Sequence, residues 1–265
     1  MLVDTHAHLY LNQFDEDRDE MIQRAKEKGI EKFYLPNIDS STIEVMLAME
    51  EQYPDECFAM MGLHPCSVKD NYKEELAIIE KWLKKRKFVA VGEIGTDLYW
   101  DKTFIEEQKD AFQIQCEWAK ELGIPIVIHC RESMDLTIDL VRKAQDGRLK
   151  GIFHCFGGSV EQANQIIDLG FYMGIGGVLT FKKSGLDQTI KEVALEHLVL
   201  ETDSPYLAPT PFRGKRNESA YIHQIAEKLA SVKETSLAKV AEVTTKNAAE
   251  IFGNFSFENE LKKVS

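Results

Sequence analysis

Nowhere along these 265 residues does an apolar run approach the ~20 residues that a membrane-spanning helix needs. Met1 leads straight into a strand-like segment without a basic leader, so the expectation is a cytoplasmic protein without membrane contact. Cysteine is scarce: five thiols, Cys57, Cys66, Cys116, Cys130 and Cys155, with no C-x-x-C pair among them. That argues against a disulfide framework and makes reduced, buried thiols the expectation. Positive charge is also short. With 32 Lys and Arg against 44 Asp and Glu, the formal charge is −12, which excludes a broad electrostatic surface for nucleic acid. A small basic patch or a metal-centred site remains compatible with that balance. No sequence feature points to an obligate protein partner.

What is present is alternation. Short apolar runs recur at LVDTHAHL, KFYLPNI, CFAMMGLHP, FVAVGEIG, PIVIHCRE, GIFHCFG, FYMGIGG and LVLETDSP, each reading as a strand covered on both faces. Helical patterns lie between them. In EDRDEMIQRAKEKG, Met21, Ile22 and Ala25 share a face and Gly29 suits the stop. In TFIEEQKDAFQIQCEWAKELG, apolar residues recur from Phe104 to Leu122, Gly123 closes the helix, and Thr103 with Glu106 could form a capping box. Two further helical patterns follow the last run, near 220–230 and 235–252. Eight strands alternating with helices predict an α/β fold, a (β/α)8 TIM barrel with an extra C-terminal helix. The boundaries are one domain over 1–253 and a polar tail over 254–265. A doubly wound open sheet uses the same alternation and is the rival.

The ionisable residues inside these runs separate the two folds. His6 and His8 interrupt the first run; His64, Glu93, His129, His154 and Asp203 fall late in the third, fourth, fifth, sixth and eighth. In a closed barrel those ends converge on one mouth; in an open sheet the outer strands lie too far apart. Residues two apart on a strand face the same side, so His6 and His8 can point inward together. The same alternation turns Cys130 and Cys155 towards the helix layer and makes them poor ligand candidates. Four of these imidazoles, with the two carboxylates, form a nitrogen and oxygen set suited to divalent ions such as Zn2+, Mn2+ or Mg2+. They are too many for one tetrahedral ion, so two ions bridged by Glu93 are expected. Asp4, two residues before His6, is a candidate to orient it.

The segments VDTHAHL, GLHP, VGEIGTDLYW, PIVIHCRE, GIFHCFGGS, LETDSPYLAP and RGKRNE resemble, in order and across nearly the whole chain, the TatD-type metal-dependent DNases of the amidohydrolase superfamily. The resemblance implies a two-metal barrel that hydrolyses phosphodiester bonds in DNA, single strands or ends, through an activated water. Carried over by position, the metal ligands are His6, His8, Glu93, His129, His154 and Asp203, with Asp203 and Glu93 catalytic. It further implies that His64 and the Arg213-Gly214-Lys215-Arg216 loop face substrate, and Arg131 joins Arg213 and Arg216 as a phosphate contact because a guanidinium fork matches phosphate oxygens. The chain departs from the family pattern at Thr96, Leu98 and Ser219. The alternative is a related ester or amide hydrolase using the same site, for example an aminoacyl-tRNA deacylase. A non-catalytic metal-binding interaction protein would not need so full a ligand set.

Several residues carry two readings at this stage. His64 is either a turn-capping residue or a substrate contact, and Asp97 either stabilises its loop or serves the site. Tyr99 and Trp100 either stack on a base or pack in the core. Lys182 and Lys183 read as a solvated loop pair, His197 and His223 as surface residues.

Overall fold

Short apolar strands flanked by turn residues form where the sequence places them: β1 (Leu2–Asp4), β2 (Ile30–Pro36), β3 (Cys57–Met60), β4 (Val91–Asp97), β5 (Ile126–Arg131), β6 (Gly151–Phe153), β7 (Phe171–Ile175) and β8 (Leu198–Leu200). The chain is described by a computed structural model over residues 1–253; the expected tail at 254–265 lies outside the described residues. Every strand pairing is parallel, β1-β2-β3 in one ladder and β4 through β8 in order in the other.

Backbone bonds join the two ladders at both seams. Between β3 and β4, the Met61 N–H donates to Ala90 O and the Gly92 N–H to Met61 O, each at 3.1 Å. Beyond β8, the Thr5 N–H donates to Leu200 O (3.0 Å), Asp203 N–H to His6 O (2.9 Å) and His8 N–H to Ser204 O (2.7 Å). An open doubly wound sheet has no such link between its first and last strands. The architecture is the TIM-barrel-like α/β fold that the alternation predicts.

The helices are α1 (Arg18–Glu27), α2 (Ile43–Gln52), α3 (Tyr72–Lys85), α4 (Ile105–Leu122), α5 (Met134–Ala144), α6 (Val160–Asp168), α7 (Leu186–Glu192), α8 (Ile222–Val232) and α9 (Leu237–Phe252). Gly123 ends α4 in the left-handed region, φ 68°, as its sequence position suggests. The Thr103–Glu106 capping box does not form. Asp101 Oδ1 takes the Thr103 N–H instead, and Phe104 precedes the helix without a side-chain cap. The box that does form is at α6, between Ser159 and Gln162.

Two apolar clusters result. The larger lies between strands and helices. The smaller gathers Val3, Tyr34, Phe58, Met60, Val89, Val127, Ile152 and Val199, with Ala248 and Ile251 of α9 packed against them. Phe252 stacks on Tyr34 with ring centroids 4.0 Å apart, so the additional helix supplies an apolar plug for the strand cluster. By strand alternation, Val127 shares a face with His129, Ile152 with His154, and Val199 with Glu201 and Asp203. The polar site therefore sits directly above this apolar floor.

Candidate metal centre

His6 and His8 lie just past β1, where Ala7 bridges in parallel to Ser204. The chain bends at Thr5 and His6 before that bridge, and both imidazoles reach the same space, their centroids 5.2 Å apart. Glu93, only 2% exposed, stands at the middle and divides its oxygens. Oε2 lies 3.2 Å from His6 Nε2 and 3.5 Å from His8 Nε2. Oε1 lies 2.8 Å from His129 Nδ1, 3.2 Å from His154 Nε2 and 3.5 Å from His64 Nε2. Asp203 Oδ1 completes the first group, 3.8 Å from His6 Nε2 and 3.7 Å from His8 Nε2. The ligand atoms fall into three overlapping groups: His6, His8 and Asp203; His6, Glu93 and His154; His64, Glu93 and His129.

Hydrogen-bond partners decide which nitrogen of each ring keeps a lone pair. Tyr10 gives its hydroxyl proton to Pro36 O (2.6 Å), so its oxygen accepts from His8 Nδ1 (3.0 Å), and His8 Nε2 is left free towards the centre. Glu201 Oε1 accepts from His154 Nδ1 (3.2 Å) and frees Nε2; Asp97 Oδ2 accepts from His129 Nε2 (2.9 Å) and frees Nδ1. His64 is the reverse. Its Nδ1 accepts the Cys66 N–H (3.0 Å), so the proton of the neutral ring sits on Nε2, facing the cavity. His64 is thereby a donor, and the group that includes it lacks one lone pair for an ion.

The charges depend on one another. Burial alone would raise the Glu93 carboxyl, but the surrounding His64 and His154 rings hold it well below the usual range. Burial opposes charge on His129 and His154 as well, yet the carboxylates of Asp97, Glu93 and Glu201 raise both rings, so a divalent ion would take the place of a proton at His129 Nδ1 and His154 Nε2. Burial, then the His154 ring stacked on it at 3.7 Å, push His6 well below its ordinary value and keep it neutral. Burial raises Asp203 to about 6. Both ring nitrogens of His6 are buried without a hydrogen-bond partner, a costly arrangement in a protein interior. A cation in contact with Nε2 would remove that cost, and an all-imidazole and carboxylate donor set suits divalent ions.

Asp4 does something other than the sequence suggests. It accepts from the His6 backbone N–H (3.4 Å), from the Thr202 N–H (2.9 Å) and hydroxyl (2.6 Å), and from Ser219 (2.6 Å). It secures the chain at the seam between the first and last strands and does not touch the His6 ring. Ser219, one of the departures from the family pattern, is explained by that contact. Thr96, another, pairs with Thr137 Oγ1 at 2.7 Å.

Sequence reasoning missed Glu201. It is fully buried behind His154, and its Oε1 also takes the Cys155 N–H at 2.5 Å. Its position two residues before Asp203, on the same strand face, was the available signal.

A sequence model of the family described as "TatD related DNase" matches residues 3–253. The chain belongs to the TatD family. It is 40% identical over 253 residues to YabD of Bacillus subtilis, described as an uncharacterized metal-dependent hydrolase, covering 95% of this chain and 99% of that one. It is 28% identical to the 3'-5' ssDNA/RNA exonuclease TatD of Erwinia tasmaniensis, covering 95% and 99%. The crystal structure of the TatD homologue YjjV from Escherichia coli superposes with a TM-score of 0.90 at 29% identity, covering 95% of this chain and 97% of that one. The protein is a metal-dependent hydrolase of the TatD family.

Within this TatD fold the six expected ligands come together, while the expected substrate contacts divide. A cavity of about 790 Å3 opens over the centre, with His8, His64, Glu93, His129, His154 and Asp203 among its lining and Trp100, Arg131, Val178, Tyr206 and Leu207 around it. His64 and Arg131 therefore face it. Arg213 and Arg216 do not line it. Arg213 lies over Phe181, its Cζ 3.6 Å from the ring centroid. Arg216 spends its fork on Asp17, at 2.7 and 2.8 Å, and on Gln13 O (2.7 Å). The basic loop thus braces the chain in this structure and is not directed at the cavity. Asp97 serves both of its readings: Oδ1 takes the Tyr99 and Trp100 N–H groups (2.9 and 3.1 Å) while Oδ2 holds His129. Cys130 turns its thiol to Met134 Sδ of α5 (3.5 Å), as expected of an outward residue, although Cys130 and Cys155 also border the cavity. All five cysteines are free. No helix among the described residues is long and apolar enough to cross a membrane.

Proposed function

We propose that this chain is a divalent-metal-dependent deoxyribonuclease that hydrolyses phosphodiester bonds in DNA, acting on single strands or ends, and that His6, His8, Glu93, His129, His154 and Asp203 would hold its two ions. The observation that carries the reading is the division of the Glu93 oxygens, Oε2 towards His6 and His8 and Oε1 towards His129 and His154. One carboxylate facing two sets of free imidazole lone pairs is the arrangement a bridged pair of cations requires. That the Erwinia relative is a 3'-5' ssDNA/RNA exonuclease supports a nucleic acid substrate.

Divalent ions held there would supply Lewis acidity, making a water more acidic and polarising a phosphate. The chain's own groups do the rest. His6 and His8 offer Nε2 on one side of Glu93; His129 offers Nδ1 and His154 Nε2 on the other. Tyr10, Asp97 and Glu201 keep three of those rings in register. Asp203, at 17% exposure more open than Glu93, orients the attacking water and takes its proton on the carboxylate. His64 Nε2–H donates to a phosphate oxygen, and Arg131 adds charge at the rim.

The test is end-labelled single- and double-stranded DNA incubated with protein loaded with Mg2+, Mn2+ or Zn2+. Single strands are expected to be cut with each productive ion, and E93A and D203N to lose cleavage with their circular dichroism unchanged. Full activity in either purified variant, or no cleavage with any divalent ion, refutes the proposal.

A further inference from the structure

Trp100 is the most exposed large apolar side chain among the described residues, at 68%, and Tyr206 is at 48%. Both border the cavity over the metal centre. Leaving an indole in water beside a buried polar site forgoes burial that an aromatic ring normally gains, and the packing alternative for Trp100 is excluded by its exposure. The two rings stand on different elements. Trp100 follows β4 and Tyr206 follows β8, and in an eight-strand order closed at both seams those strands lie four places apart in either direction. They therefore flank the mouth from opposite sides, with Glu93 and Asp203 between them.

Neither ring is loose. The Trp100 backbone N–H is held by Asp97 Oδ1 (3.1 Å), its ring lies edge-on to Tyr99, and the Arg131 guanidinium carbon is 5.3 Å from its centroid and 3.9 Å from that of Tyr99. Tyr206 meets His8 edge-on at 6.2 Å, and its N–H donates to Asp203 O (2.8 Å). Each exposed ring is thus fixed three residues from a carboxylate that lines the cavity, Asp97 or Asp203.

We infer that Trp100 and Tyr206 are stacking platforms for the two nucleobases on either side of the scissile phosphate, which spans the mouth between them. The inference rests on the nuclease reading and adds the reason for a single-stranded substrate. A base can lie flat on a protein ring only when its face is free of its neighbours in a duplex, and every base offers such a face whatever the sequence. Arg131 places positive charge beside the Trp100 platform, where the backbone of the stacked nucleotide passes.

The experiment measures binding and turnover separately on the metal-loaded full chain with a short single-stranded oligonucleotide. W100A and Y206A are each expected to weaken binding, read by anisotropy, by about 5- to 150-fold. KM should rise to match with kcat nearly unchanged, because the contact is made equally in the ground and transition states. Replacing one nucleoside beside the cleaved bond by an abasic residue should remove the penalty of one variant, and replacing the other nucleoside that of the other. Oligonucleotide binding should also quench tryptophan fluorescence in the wild type and not in W100A. Y206F should behave as wild type. If the strand is cut but both variants bind intact and abasic strands as the wild type does, and no quenching is seen, the platforms are refuted while the nuclease reading stands. If the strand binds with quenching lost in W100A but no ion supports cleavage, the platforms stand and the nuclease reading falls. If no strand binds, both fall.

Discussion

A Cβ placed on Gly174 of β7 would lie 2.1 Å from Glu201 Oε2 and 2.6 Å from its Cδ, whereas ordinary van der Waals contact begins near 3.4 Å. The substitution G174A therefore tests what the buried carboxylate behind His154 contributes. Gly174 does not occupy the left-handed region, so alanine suits the backbone there, and reduced freedom of the unfolded chain would stabilise by about 0.4–1 kcal/mol. The collision outweighs this. Glu201 has no solvent to move into, and displacing it breaks the bonds from His154 Nδ1 and the Cys155 N–H. Hydrogen bonds to a charged group contribute about 1.5–3 kcal/mol each, so a loss of about 3–6 kcal/mol is expected. His154 also loses the partner that keeps Nε2 free, and metal affinity should drop by about 10–100-fold. Urea unfolding of the metal-free protein and calorimetric titration with Mn2+ read the two effects. The decisive comparison is the same substitution in an E201A background, where the collision is gone and the cost of G174A should nearly vanish. A G174A protein as stable and as tight for metal as the parent, or a penalty undiminished by E201A, would show that Gly174 does not make room for the carboxylate.

The two cavity-side and loop-side arginines should separate cleanly. R131A is expected to raise KM for a DNA strand and lower the salt dependence of binding by about one unit of slope, while the lost contact with the Tyr99 ring costs at most about 1 kcal/mol of stability. R216A should leave KM alone and cost about 1 kcal/mol in urea unfolding, because its fork is committed to Asp17. Arg216, then Arg24, hold the Asp17 carboxyl well below the usual range. With the folded value below the unfolded ~3.9, the pair's stabilisation is complete above about pH 4 and is lost as pH falls towards the lower folded value. D17N should accordingly flatten the acid limb of the stability curve between pH 4 and 2; an unchanged limb would contradict that assignment.

Much of this was legible in the chain because strand alternation has a fixed period. Placing His129 and His154 inward and Cys130 towards α5 needs only that period and the direction of a parallel strand. For His6 and His8 the period gives only that the two share a side; Val3 faces the inner cluster, and it is the bend at Thr5 and His6, before the Ala7 bridge, that turns both rings to the centre. What was hidden depends on partners distant in sequence. The family pattern and the guanidinium fork point Arg216 at phosphate, and only the fold brings Asp17, 199 positions away, onto that fork. Spacing along β1 points Asp4 at His6, while Thr202 and Ser219 claim it from the other end of the chain. Thr103 had the right spacing for a cap, yet Asp101 competes locally for its N–H. His64 needed its tautomer, which the Cys66 N–H sets and no residue pattern announces.

The seam that brings His6 and His8 to Asp203, and the α9 plug beneath it, also order events during synthesis. At about 5–20 residues per second, roughly 10–40 s separate the appearance of His8 from that of Asp203 at the ribosome, and α9 comes later still. Until then the growing chain carries a half-built barrel whose strand edges at β1 have no β8 to meet and whose apolar lumen lacks its stopper. The candidate ligands His6 and His8 are thus made long before the residues that face them, and the cluster is complete only when the two ends of the polypeptide meet. A ribosome stalled before residue 203 would display strands that seek a partner on a neighbouring chain, a hazard that a locally assembled site would not create.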